Sequence, residues 1–161
     1  ITAKHIQDIH HAEDPSGQHP EWHGISKNTL NRLPDLLSRP ILIMDSATTT
    51  GDIVVVVEAI DPKARPVVVS IHPNGTARVG GQRGPANFIT RVYGKDGYTS
   101  WVDQAVQDGR VLYWHKNRSQ NLSGTARVQF PAGLTGLASN TIIKRHAGHV
   151  KACSWRRDIR N

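Results

Sequence analysis

The sequence predicts an α+β domain: N-terminal helices packed on one face of a mainly antiparallel sheet of about four to five strands, with one helix inserted before the last strand. Three observations carry this. Apolar residues recur at helical spacing before residue 40 and again between residues 98 and 110. In between, the period drops to two, or to continuous β-branched runs, which is the mark of strands. The turns between those strands are short and contain Pro or Gly, which suits antiparallel hairpins.

Taken in order, Ala3, Ile6 and Ile9 make a thin apolar stripe, so residues 1–14 predict a short helix. PSGQHPEWHG, residues 15–24, is a loop by composition. Ser26 offers an N-cap to a helix whose apolar face is Leu30, Leu33, Leu36 and Leu37. Pro34 falls inside that pattern and predicts a kink or two short helices, ended at the Arg39-Pro40 step. ILIMDS is a strand, TTTGD a turn, and DIVVVVEAID a strand buried on both faces. After the DPKAR turn, PVVVSIHP returns as an antiparallel partner, so residues 53–60 and 66–72 form a hairpin. NGTARVGGQRGP, residues 74–85, is Gly-rich and basic and reads as a mobile loop. NFITRVYGKD is the next strand, Trp101, Val102, Ala105 and Val106 mark a helix stopped at Gly109, and RVLYWHK is the last strand. Residues 119–141 read as loop with at most a strand at Ala126 to Phe130, and the tail as holding at most one short helix. With every helix assigned to one side, the second sheet face is left free for a site.

The chain has 161 residues and a mass of 17.7 kDa, which suits one domain: a helical and loop extension over 1–25, a core over 26–118 and a basic extension over 119–161. Charged residues are 20% and hydrophobic ones 37%, a composition that excludes a disordered chain. No apolar run approaches the roughly 20 residues that a spanning helix needs. The first residue is Ile and the opening stretch is not a signal peptide, so the chain is expected to be a piece of a longer protein. A single Cys, Cys153, excludes an intrachain disulfide and a Cys-rich zinc site. The formal charge of +7 is concentrated at the end, where Lys144, Arg145, Lys151, Arg156, Arg157 and Arg160 oppose only Asp158. A basic end without an amphipathic apolar face favours nucleic acid or an acidic protein over a membrane.

The stretch with most chemistry is NFITRVYGKD. Alternation puts Arg91, Tyr93 and Lys95 on one face and Phe88, Thr90 and Val92 on the other, with Gly94 allowing a bend. Two cations flanking a phenol form a phosphate-handling surface. His72 ends its strand, on the face of Ser70 and Val68, and hairpin register could bring Glu58 near it; histidine is the side chain type best suited to proton transfer near neutral pH. A His acting as base, with cations as stabilisers, meets the needs of RNA cleavage through the 2′-hydroxyl, with no metal and no cofactor. His115 and Lys116 point to opposite faces of their strand, so at most one should join the site. Ser46 and Thr48, with Thr49 and Thr50, could hydrogen-bond a phosphate. His5, Asp8, His10 and His11 read better as a solvated helix face than as a metal site, and Gly80, Gly81 and Gly84 match no nucleotide loop.

The run from about Leu33 to Lys116, with LPDLLSRPILIMDSAT, IVVVVEAIDPKARPVVVSIHPNG, FITRVYGKD and GRVLYWHK, resembles the toxin domains at the C-termini of phage MuF-type and polymorphic-toxin proteins. The resemblance implies the barnase, EndoU, colicin-nuclease and RelE-like fold and metal-independent cleavage of RNA, often transfer RNA, rather than DNA. Carried over by position, it lands on Tyr93, Lys95 and Arg91, with Ser46. It also implies release or injection from a bacterium or phage particle as part of a larger protein, action in the cytoplasm of a target cell, and neutralisation by an immunity protein, expected to be acidic. Two other readings compete: a non-catalytic nucleic-acid-binding module using the same cations, and an ADP-ribosyltransferase-type toxin with Glu58 as its strand-borne acid.

Overall fold

The valines Val54, Val55, Val56 and Val57 are all buried, and they form the middle of a five-stranded antiparallel sheet of order β4-β3-β2-β1-β5. A computed structural model describes residues 3–11, 15–16, 18–19, 22–79 and 81–140. The basic tail and Cys153 therefore lie outside the described residues, as does the short helix expected there. The elements are α1 (Ala3–His10), α2 (Lys27–Asn31), α3 (Leu33–Ser38), β1 (Leu42–Asp45), β2 (Ile53–Ile60), β3 (Pro66–Val79), β4 (Gln82–Gly94), α4 (Tyr98–Gln107), β5 (Val111–Trp114), α5 (Lys116–Ala126) and a 3₁₀ turn at Ala132–Gly136.

Local chemistry explains the helical segments. Ser26 Oγ accepts the Thr29 N–H at 3.1 Å, capping α2 as its position promises. Pro34 sits in the first turn of α3, where its missing N–H costs nothing, so the Leu pattern folds as two short helices meeting at Arg32. Gly109 takes φ +65° just past α4 and stops it.

Two cores hold the sheet. Val55, Val57, Val67, Val69, Ile71 and Val92 pack with Ile9, Ile25, Leu33 and Leu36 from the N-terminal helices and the segment between them. On the opposite face, Leu42, Met44, Val54, Val56 and Val68 pack with Tyr98, Val102, Ala105, Leu122 and Leu134. The expectation of a free second face is therefore corrected: α4, α5 and the 3₁₀ turn bury part of it. The reason was already in the valine run, because a strand apolar on both faces needs cover on both. Residues 119–126, expected as loop, belong to α5, which begins at Lys116; Ser119, Leu122, Ser123 and Ala126 give it a buried stripe at helical spacing. No strand forms at Ala126 to Phe130.

Residues 74–85, expected as a mobile loop, are instead paired. Gly75 to Val79 ladder against Gln82 to Ala86, extending β3 and β4 well past Ile71, the last β3 residue that pairs with β2. Gly75 is required there because a Cβ would meet Phe88 Cδ2 at 2.5 Å, the aromatic ring lying across the glycine.

Tyr98 is 2% exposed, and its hydroxyl has no hydrogen-bond partner among the described residues. Burial pushes its pKa well above the ordinary tyrosine value. A raised folded pKa means that the unfolded chain loses its proton first, so this contribution is complete below about pH 10 and declines as pH rises beyond it. Tyr98→Phe should therefore flatten the alkaline fall in a urea-denaturation series. At neutral pH it should raise stability by about 1 kcal/mol by removing an unpaired buried hydroxyl.

Candidate functional site

Along β3 the even residues Val68, Ser70 and His72 face the α4/α5 side of the sheet, and pairing sets Tyr93 opposite Val68 and Arg91 opposite Ser70. The β3–β4 end of this face is the part left open: His72 and Arg91 are exposed, Ser70 and Tyr93 half-buried. Three of the residues expected to act together, His72, Arg91 and Tyr93, thus share one surface, with Arg91 on the row two residues and Tyr93 on the row four residues along β3 from His72. A bulge between the Ser70–Arg91 and Ile71–Ile89 pairs shifts the alternation of β4. As a result Phe88 pairs with His72 and joins this face, contrary to a strict period of two.

Register also supplies the partner of His72. Val54 pairs with Ser70, which sets Asp52 beside His72, and His72 Nδ1 lies 2.6 Å from Asp52 Oδ1. The imidazole is 53% exposed while the carboxylate is 12% exposed, so a largely shielded acid orients a ring open to substrate. Glu58, expected near His72, lies six residues farther along β2, about 20 Å away by strand rise, and is exposed. The turn joining β1 to β2 fixes Asp52. Ser46 Oγ accepts the N–H groups of Thr48 and Thr49 at 3.3 and 3.2 Å, and the Ser46 N–H donates to the Asp52 carbonyl at 2.9 Å. Ser46 and Thr48 therefore sit at the His72 end of the sheet, and their hydroxyls hold the turn together.

Tyr93 is the second centre of the site. Burial raises its pKa, against the lowering effects of a hydrogen bond with Ser70 and of the Arg91 charge, so it stays a neutral phenol able to donate. His23, from the segment between α1 and α2, brings its ring centroid to 5.8 Å from that of Tyr93. Sequence reasoning missed His23 and Asp52. The hairpin sum, in which paired positions add to a constant, would have found Asp52 once Val54 was matched to Ser70; no local pattern announces His23.

The other candidates lie elsewhere. β4 ends at Gly94, and Lys95, on the row of Pro66, stands about 20 Å along the sheet from His72. Its Nζ lies 5.2 Å from the Trp101 ring centroid, a cation–π contact at the rim of an open cavity of about 580 Å³. β5 stops at Trp114, so His115 and Lys116 are not strand residues. His115 Nδ1 accepts the Arg118 N–H at 3.5 Å as the N-cap of α5, and Lys116 opens that helix, both at the end of the sheet away from His72. Trp114 is core. Among the described residues, no group of three or more His, Cys, Asp or Glu could hold a metal ion. Among them too, no helix is long and apolar enough to cross a membrane.

Fold and surface together define a small α+β domain that presents a His–Asp pair, an arginine and a tyrosine on the open end of an antiparallel sheet. The model of the phage MuF C-terminal domain family matches residues 16–121, and the chain belongs to that family. No curated protein and no solved structure matches it.

Proposed function

We propose that this MuF C-terminal domain is a metal-independent endoribonuclease of the barnase, EndoU, colicin-nuclease and RelE-like kind, acting on RNA, with transfer RNA as a candidate substrate. The observation that carries the reading is the 2.6 Å His72–Asp52 pair on the same sheet face as Ser70, Arg91 and Tyr93. Asp52 holds Nδ1, leaving His72 Nε2 to take the proton of the ribose 2′-hydroxyl. The 2′-oxygen forms a bond to phosphorus as the bond to the 5′-oxygen breaks. Charge that develops on the non-bridging oxygens is met by Arg91 and by the neutral Tyr93 hydroxyl. The departing 5′-oxygen takes a proton from His23, on the Tyr93 side of the site. The products are a 2′,3′-cyclic phosphate and a 5′-hydroxyl.

Carried as part of a larger phage or bacterial protein, such a domain acts as a toxin in the cytoplasm of a target cell. An acidic immunity protein that covers the cationic face is its natural inhibitor, because opposite charges speed association.

Incubating the purified protein with total RNA, transfer RNA and DNA in EDTA tests this. Expected are RNA fragments ending in cyclic phosphate beside intact DNA, which lacks the attacking hydroxyl. RNA that stays intact at high protein concentration would overturn the reading.

A further inference from the structure

Between Pro62 and Lys95 the chain carries Lys63, Arg65, Arg78, Arg83, Arg91 and Lys95 and not one acidic residue. Most of this stretch is the β3–β4 hairpin, which outgrows the sheet. The last β2–β3 pair on that side is Ile53–Ile71, whereas β3 and β4 stay paired out to Val79–Gln82. The outer part is a two-stranded ribbon closed by a turn in which Gly81 takes φ +84°. It begins at the His72–Phe88 pair, so it leaves the sheet from the candidate site itself.

Arg78 and Arg83 stand directly opposite each other in this ribbon. Both are exposed, and neither has an acidic partner among the described residues. Like charges set across a ladder repel, and a free two-stranded ribbon has little core to offset that. A polyanion laid along the ribbon turns the repulsion into attraction. Arg78 lies six residues beyond His72, about 20 Å by strand rise, which is farther than the groups flanking a single scissile bond.

We propose that the β3–β4 ribbon is a substrate arm, in which Arg78 and Arg83 bind phosphates of an RNA strand several nucleotides away from the bond held at His72. This rests on the ribonuclease reading for the identity of the polyanion. The arm sets a length preference: long strands reach it, and short ones are held by the His72 surface alone.

The test uses fluorescein-labelled 2′-O-methyl RNA of three and of twenty nucleotides, which binds without being cut, beside cleavage of total RNA. Arg78→Ala/Arg83→Ala should weaken binding of the 20-mer about tenfold and make the slope of log K against log salt shallower by about 1.4, two phosphate contacts at about 0.7 each. Binding of the 3-mer should not change. Arg78→Lys/Arg83→Lys should restore the salt slope, because a phosphate contact needs the charge. Equal 20-mer affinity and slope in the wild type and the alanine double variant would overturn the arm, even with RNA cleavage intact. The ribonuclease reading fails separately, if RNA stays whole while the arm-dependent affinity persists. Arm-dependent binding of polyglutamate, with none of RNA, would also overturn the proposal and mark the ribbon as a protein contact.

Discussion

His72→Ala is expected to lower RNA cleavage by about 10²–10⁴-fold, the usual contribution of a positioned general base, with RNA affinity nearly unchanged. The argument rests on division of labour. His72 is exposed and stands in β3 just past its last pair with β2, so its loss should leave the fold intact. Removing a base from the reaction without removing phosphate contacts lowers kcat and leaves binding in place. Asp52→Asn should cost less, about 10- to 100-fold, or roughly 1.4 to 2.7 kcal/mol of barrier, because the ring remains but its orientation and charge partner are weakened. Arg91→Ala should act on both binding and the transition state, lowering affinity as well as the rate. In the double variant Asp52→Asn/His72→Ala the two losses should not add, since the carboxylate works only through the ring. Single-turnover cleavage of a defined RNA, beside anisotropy on its 2′-O-methyl form, separates these outcomes. Equal cleavage rates in the wild type and His72→Ala would place the chemistry elsewhere on the molecule.

The parts of this site that were legible in the sequence are those set by one strand at a time. Alternation put Arg91 and Tyr93 on one face, and that holds; His72 is exposed as expected, but it lies in the middle of β3, which runs on to Val79, rather than at the strand's end. What a single strand cannot show is which residue of its neighbour stands opposite. Glu58 was the more conspicuous acid because it lies within the apolar run, yet pairing gives the place beside His72 to Asp52, at the edge of the turn. Phe88 was assigned to the wrong face because a bulge inserts one residue into β4, and nothing in FITRV marks where the extra residue falls. Lys95 was extrapolated past the end of its strand, as were His115 and Lys116 past theirs. The ribbon was read as a loop on glycine content, whereas hydrogen bonding across the hairpin overrides that weak propensity. α5 was overlooked for the opposite reason: its buried stripe is half serine, so hydrophobic periodicity alone does not display it.

Gly94→Ala should destabilise the domain by about 3–5 kcal/mol, the scale of breaking a buried ion pair, and should do so without touching the His72 surface. Gly94 was expected to let the chain bend; it is the last residue of β4 and is buried. The constraint is space. A Cβ there would stand 2.6 Å from Asp61 Cγ and 2.9 Å from Arg65 Nε, and closer still to Asp61 Oδ2. The Asp61 side chain is wholly buried and does four jobs: it accepts the Lys63 and Arg65 N–H groups at 3.0 and 2.8 Å, holds Arg65 Nε at 2.6 Å, and pairs with Arg65 Nη2. Arg65 Nη1 then reaches Asp96 at 2.9 Å, tying the β2–β3 turn to the end of β4. Any methyl at position 94 must displace this carboxylate or this guanidinium, and either move strands a buried charge. Asp61→Ala should be destabilising for the same reason. The double variant Gly94→Ala/Asp61→Ala should fall short of the sum, because the first clash disappears with the carboxylate. Urea denaturation of the four proteins measures the coupling, and additive losses would mean that Gly94 matters for a reason other than the space it leaves to Asp61.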